Sequence, residues 1–203
     1  MLAVAASSSP ETFLLVDGEN IDATLGGSLL GRRPAPEERP RWDRVRTYGR
    51  AVWEQPVRGL FFLNGSGQIP MSFVQALDAL EFRPVLLSGP PEVKVVDVAI
   101  QRTLEALVQR DDGDVLLCSH DGDFAPQIAD LLRDADRRVG VIGFRELIST
   151  SLAELTADGL ELYDLEDDVG AFTVALPRIR VIPIERFDPW TLLGDAATRT
   201  ERL

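Results

Sequence analysis

Six short apolar runs, separated by stretches with helical spacing, constrain this chain more than any other feature. They are FLLVD (13–17), VRGLFFLNG (57–65), FRPVLLSG (82–89), VLLCS (115–119), RRVGVIGF (137–144) and LELYDLE (160–166). Most are near-continuous rather than alternating, which predicts strands buried on both faces. Over 70–81, Phe73, Val74, Leu77 and Leu80 fall on one helical face. Behind Pro90 and Pro91, Val96, Ile100, Leu104 and Leu107 form another apolar stripe. Residues 43–55 carry Val45, Tyr48 and Val52 at helical spacing, with Gly49 weakening the pattern. Residues 125–136 and 146–159 complete the helical set. Strand–helix alternation predicts an α/β fold with a mostly parallel sheet covered by helices on both faces. Right-handed crossovers then bring all strand carboxyl ends to one edge, where such sheets bind ligands.

The segments outside this rhythm set the expected organisation. Residues 1–11 read as a flexible tail, without the basic and apolar regions of a signal peptide. Residues 12–167 form the domain, with an Arg- and Pro-rich insertion at about 25–42. Residues 168–203 form a C-terminal extension. Its β-branched and aromatic residues predict extended, β-rich structure that packs on the domain or forms a homo-oligomer. No apolar run is long enough to cross a bilayer, so no membrane partner is expected. The single cysteine, Cys118, excludes a disulfide framework and a cysteine-rich zinc site, and fits a reducing, cytoplasmic setting.

A formal net charge of -12 argues against a uniformly basic nucleic-acid clamp. Residues 32–50 depart from the average. They hold seven arginines and three acids, a local balance of +4. This basic island includes Arg32, Arg33, Arg41 and Arg44, which are candidates to guide a phosphate backbone.

The acids concentrate elsewhere. Asp17 ends the first strand, and Asp121 and Asp123 follow the fourth in SHDGDF (119–124). Asp97 lies in the first turn of the helix after the third strand. Topology therefore directs four carboxylates to one edge. Two like charges about 5 Å apart repel by roughly 3 kcal/mol at an effective dielectric near 20. Six such pairs would approach about 20 kcal/mol, more than the roughly 5–15 kcal/mol that holds a domain together. Such a cluster must protonate, spread apart or bind a cation, and oxygen ligands suit hard divalent ions. Asn20 and Ser119 can orient the carboxylates, although Asn20 also suits a helix cap and Ser119 a plain strand end. Lys94 reads as solvated or phosphate-facing. His120, the only histidine, reads as structural or solvent-exposed, Cys118 as strand packing, and Trp42, Tyr48 and Trp53 as core.

LLVDGEN, KVVDVAIQRTL and CSHDGDFAPQIADL, in this order and spacing, resemble the NYN domains, LabA-like relatives of the PIN nucleases. The resemblance covers about residues 12–165. It implies a PIN-like three-layer α/β/α sandwich and a metal-dependent ribonuclease that uses Mg²⁺ or Mn²⁺ on RNA. It implies Asp17, Asp97, Asp121 and Asp123 as the catalytic, metal-holding centre, with Asn20 and Ser119 in support. The insertion and residues 171–203 lie outside the family pattern. An RNA-binding or scaffold module with little turnover is the alternative. A phosphotransfer site would want Asp-x-Asp-x-Thr after the first strand, and DGENI supplies no matching threonine.

Overall fold

A computed structural model of the chain describes residues 10–67, 69–110, 112–179, 182 and 184–193. Most of the expected N-terminal tail (residues 1–9) and parts of the C-terminal extension, including 194–203, lie outside the described residues. The strands are β1 Thr12–Asp17, β2 Val57–Asn64, β3 Phe82–Leu87, β4 Asp114–Cys118, β5 Val139–Gly143 and β6 Glu161–Asp164. They form one sheet in the order β3-β2-β1-β4-β5-β6, with every pair parallel.

The continuous apolar runs have a direct explanation. In β1, Leu14 and Val16 point into one core and Phe13 and Leu15 into the other. In β4, Leu116 and Cys118 oppose Val115 and Leu117 in the same way. Both faces are covered, so neither can be polar. The first core takes Ile21 from α1 (Gly18–Thr24), Val45 from α2 (Trp42–Val52) and Leu77 from α3 (Met71–Ala79). The second takes Val96, Ile100, Leu104 and Leu107 from α4 (Val95–Arg110), Ile128 and Leu131 from α5 (Ala125–Leu131), and Leu152 from α6 (Thr150–Glu154). The result is a three-layer α/β/α sandwich. Gly49, unfavourable for α2 by propensity, lies against the sheet. An added Cβ there would sit 3.5–3.6 Å from Leu116, Val57 and Leu14, in ordinary van der Waals contact, so the packing does not itself demand glycine. Among the described residues, no helix is long and apolar enough to cross a membrane.

Two expectations need correction. The helix expected over 146–159 is broken into a 3-10 turn (Arg145–Leu147), α6 and a second 3-10 turn (Leu155–Asp158). Ser149 causes the break: its backbone is extended and its Oγ accepts from Leu152 N, so the helix starts afresh there. The insertion holds a π-helical segment Leu25–Leu30 and a 3-10 turn Pro36–Glu38. The extension holds no strand among its described residues; it carries a 3-10 turn (Ile184–Arg186) and a short helix, α7 (Pro189–Leu193). Pro177 has no N–H to give a ladder, and Arg178 turns inward to a buried cluster of acids instead of alternating along an edge.

Candidate functional site

The strand order reverses direction between β1 and β4: β2 and β3 lie on one side of β1, β4 to β6 on the other. Crevices form at such switch points, outside the strand carboxyl ends. Val16 pairs with Cys118, so the next residues, Asp17 and Ser119, leave the sheet side by side.

Asp17 is buried and caps α1. Its Oδ1 accepts from Asn20 N at 3.1 Å and its Oδ2 from Ser119 Oγ at 3.2 Å. Ser119 Oγ also accepts from Asp121 N at 3.2 Å, which ties the first acid to the loop carrying the others. Asp121 Oδ1 then accepts from Asp123 N at 2.9 Å, forming the turn Gly122–Phe124. Asp97 arrives from the first turn of α4. Asp97, Asp121 and Asp123 each bring one carboxylate oxygen within 4.8 Å of the others.

Asp17 lies outside that tight set, which separates it from the expected group of four. It remains near enough to feel the set. Burial pushes its carboxyl up to about 6; the bonds from Asn20 and Ser119 oppose the rise, and the charges of Asp97 and Asp121 add to it. Lys94 sits among the acids, its Nζ 3.3 Å from Asp97 Oδ2 and 3.7 Å from Asp123 Oδ2. Hydrogen bonding to Asp97, then the acids' charge, raises the ammonium's pKa. Part of the repulsion is thus offset by a tethered cation.

Asn20 is not the helix cap that the sequence suggested: Asp17 caps α1, and Asn20 lies inside it as the third residue, its side chain turned to His120 instead. Its Oδ1 accepts from His120 N at 2.9 Å and lies 3.1 Å from His120 Nδ1. His120 Nε2 accepts from Phe144 N at 2.7 Å, which leaves the ring proton on Nδ1, directed at Asn20. Burial lowers the His120 pKa to about 4, so the ring is neutral at neutral pH. The sequence marked this residue only as a lone histidine; its bridging position depends on β5 and is encoded by no local spacing. Gln101, whose Nε2 donates to Asp123 O at 3.2 Å, also carried no sequence signal.

The arginines divide. Arg32 forks onto Glu38, and with Arg33 it lines a cavity of about 560 Å³ that also includes Glu19, two residues beyond Asp17. Arg41 pairs with Asp43. Arg44 donates to the carbonyls of Gly170 and Phe172 at 2.8 and 2.9 Å. Its guanidinium clamps the C-terminal segment rather than facing the acids, against the expected role in substrate binding. Cys118, Trp42 and Trp53 are packed in the core as expected, Trp42 edge-on to Phe61 at 4.9 Å.

No family model matches the chain, and no curated protein matches it. A crystal structure of a protein of unknown function from Vibrio parahaemolyticus is similar in fold. The TM-score is 0.61 at 20% sequence identity, over 81% of this chain and 98% of that one. That likeness bears on the architecture alone.

The donor set fits a hard divalent cation. Three carboxylates from two separate elements converge, with no soft ligand among them. A fourth, Asp17, is buried near them, with no basic side chain bonded to it among the described residues.

Proposed function

We propose that this chain is an NYN-type, Mg²⁺- or Mn²⁺-dependent endoribonuclease that hydrolyses RNA phosphodiester bonds in the cytoplasm. The observation that carries the reading is the convergence of Asp97, Asp121 and Asp123 within 4.8 Å at the switch point of a parallel sheet. These three would hold the ion, with Asp17 alongside. A divalent ion there would supply Lewis acidity toward a phosphoryl oxygen and lower the pKa of a bound water.

The chain's own residues supply the frame. Ser119 links the Asp17 carboxylate to the Asp121 backbone, so the acids keep their relative positions. Asp17, with a pKa near 6, is largely ionised at neutral pH and adds negative charge behind the set. Lys94 is exposed, like Asp123, and it brings a positive charge to the rim where a phosphodiester would approach. Arg32 and Arg33, in the neighbouring cavity, would meet more distant phosphates, Arg32 on releasing Glu38.

A binding or scaffold module is the second reading. Lys94 favours it, because an ammonium already bridging Asp97 and Asp123 makes an acidic cluster tolerable with no metal. One assay separates the two. Single-stranded and structured RNA are incubated with wild type, Asp97→Asn and Asp121→Asn, in Mg²⁺, Mn²⁺ or EDTA. The nuclease reading expects cleavage by wild type in metal alone and a loss of at least 100-fold in both variants. Salt-sensitive RNA binding with no cleavage over hours in Mn²⁺ would establish the module instead.

A further inference from the structure

The C-terminal segment reaches the candidate site through an unbroken run of contacts. After β6 the chain turns at Gly170, and Ala171 N donates to Leu165 O at 2.8 Å. Arg41 N donates to Ala171 O at 2.7 Å, and Arg44 holds Gly170 and Phe172. Seven residues on, Arg178 turns into the protein, its side chain only 2% exposed. The guanidinium donates to three acids: through Nε and Nη2 to Glu146, through Nη1 and Nη2 to Asp164, and through Nη1 to Glu166. All three guanidinium nitrogens are engaged, in the planar fork that lysine cannot reproduce.

The same guanidinium lies 5.0 Å from the centre of the Phe144 ring. Phe144 stacks on Phe172 at 5.7 Å and on His120 at 5.4 Å, the latter pair only 12° from coplanar. Phe144 N fixes His120 Nε2, His120 fixes the Asn20 side chain, and Asn20 N holds Asp17. Each link is a directional bond or a stacked ring.

We propose that segment 171–178, through Phe172 and above all Arg178, positions the acidic site by fixing the Phe144 and His120 rings and so the Asn20 side chain, whose Oδ1 also holds the His120 backbone N–H next to Asp121. Arg178 is a positioning residue, well removed in sequence from the chemistry. The inference deepens the nuclease reading, which supplies its catalytic readout, while its structural readout is independent of turnover. A purely structural Arg178 would lower stability and leave the His120 ring undisturbed.

His120 is the only histidine in the chain, so its ring signals need no assignment. The test is a long-range ¹H–¹⁵N correlation spectrum at one neutral pH on the full chain, comparing wild type with folded Arg178→Lys. Wild type should show the Nδ1–H tautomer alone. Arg178→Lys keeps the charge and loses the fork; it should displace the ring resonances or mix the tautomers. Where wild type cleaves RNA, kcat should fall by about 10–100-fold with little change in KM, the usual effect of disturbing an outer support. Phe172→Leu leaves the ion cluster intact and serves if Arg178→Lys does not fold; the same displacement is expected. Unchanged His120 resonances in the folded variants would overturn the proposal, even if their melting temperatures fell. A wild type that cleaves nothing would sink the nuclease reading and leave the spectrum to decide this one.

Discussion

Asp17→Asn should make the protein more stable at neutral pH and less able to function. The native carboxyl is only 2% exposed, and its pKa stands near 6 against an ordinary 3.8. A folded pKa above the unfolded one means that the native state takes up the proton first. The associated stability is complete below about pH 4 and is lost as the pH rises through about 6. Two pKa units at 1.36 kcal/mol each make the loss about 3 kcal/mol at pH 7. Asparagine removes the charge and keeps the shape. Its Oδ1 can accept from Asn20 N, and its Nδ2 meets Ser119 Oγ, a group able to accept.

Urea denaturation in EDTA should therefore place Asp17→Asn up to about 3 kcal/mol above wild type at pH 7, and level with it near pH 4. For a chain of this length, that corresponds to a rise in Tm of up to roughly 6–12 °C. Excess Mn²⁺ should narrow the gap by stabilising wild type, by about 2.7 kcal/mol at 100 times Kd. A variant that is less stable than wild type by the same amount at pH 4 and pH 7 would refute the burial and repulsion assigned to Asp17.

Two further outcomes are expected. Gly18→Ala should cost about 1–3 kcal/mol, because its Cβ would fall 2.4 Å from Phe61 Cε1, and Phe61 is wedged edge-on among Trp42, Phe73 and Phe82. Urea midpoints should show the loss, and Phe61→Leu should recover part of it in the double variant; equal losses with and without Phe61 would contradict the clash. His120→Gln should remove an acid-side weakness. The native ring resists protonation until about pH 4, so wild type loses about 3 kcal/mol through this group as the pH falls from 6.5 to 4, and the variant, followed by the same denaturation series, should not.

What the sequence disclosed, and what it hid, follows from the range of each interaction. Leu14 and Val16 face one core while Phe13 and Leu15 face the other, so burial of both faces was written into four consecutive residues. The placement of Asp17, Asp97 and Asp121 near one edge followed from strand ends and crossover handedness, which need only the order of elements. The separation of Asp17 from the tight set did not follow. It depends on which hydrogen bonds its two oxygens make, and Asn20 and Ser119 hold it back. The extension packs on the domain as one of the two expected outcomes, but without the expected strands among its described residues, for a related reason. Its β-branched residues suggested strands, but Arg178 finds its partners at positions 146, 164 and 166, and no local period records such a contact.

Asn20 stands where two opposed proton equilibria meet. Its backbone N–H steadies Asp17, an acid that takes up a proton early, and its side-chain oxygen steadies His120, a base that takes one late. Between about pH 4 and 6.5, acidification gains about 3 kcal/mol through Asp17 and loses about 3 kcal/mol through His120. The two slopes nearly cancel in wild type, so a flat stability profile across this window would conceal both. The single variants expose them with opposite sign: Asp17→Asn should weaken on acidification and His120→Gln should strengthen. The double variant should be flat again, at a level set by lost contacts alone. Slopes of the same sign in the two single variants would mean that burial does not govern these groups, and that Asn20 joins nothing more than two ordinary side chains.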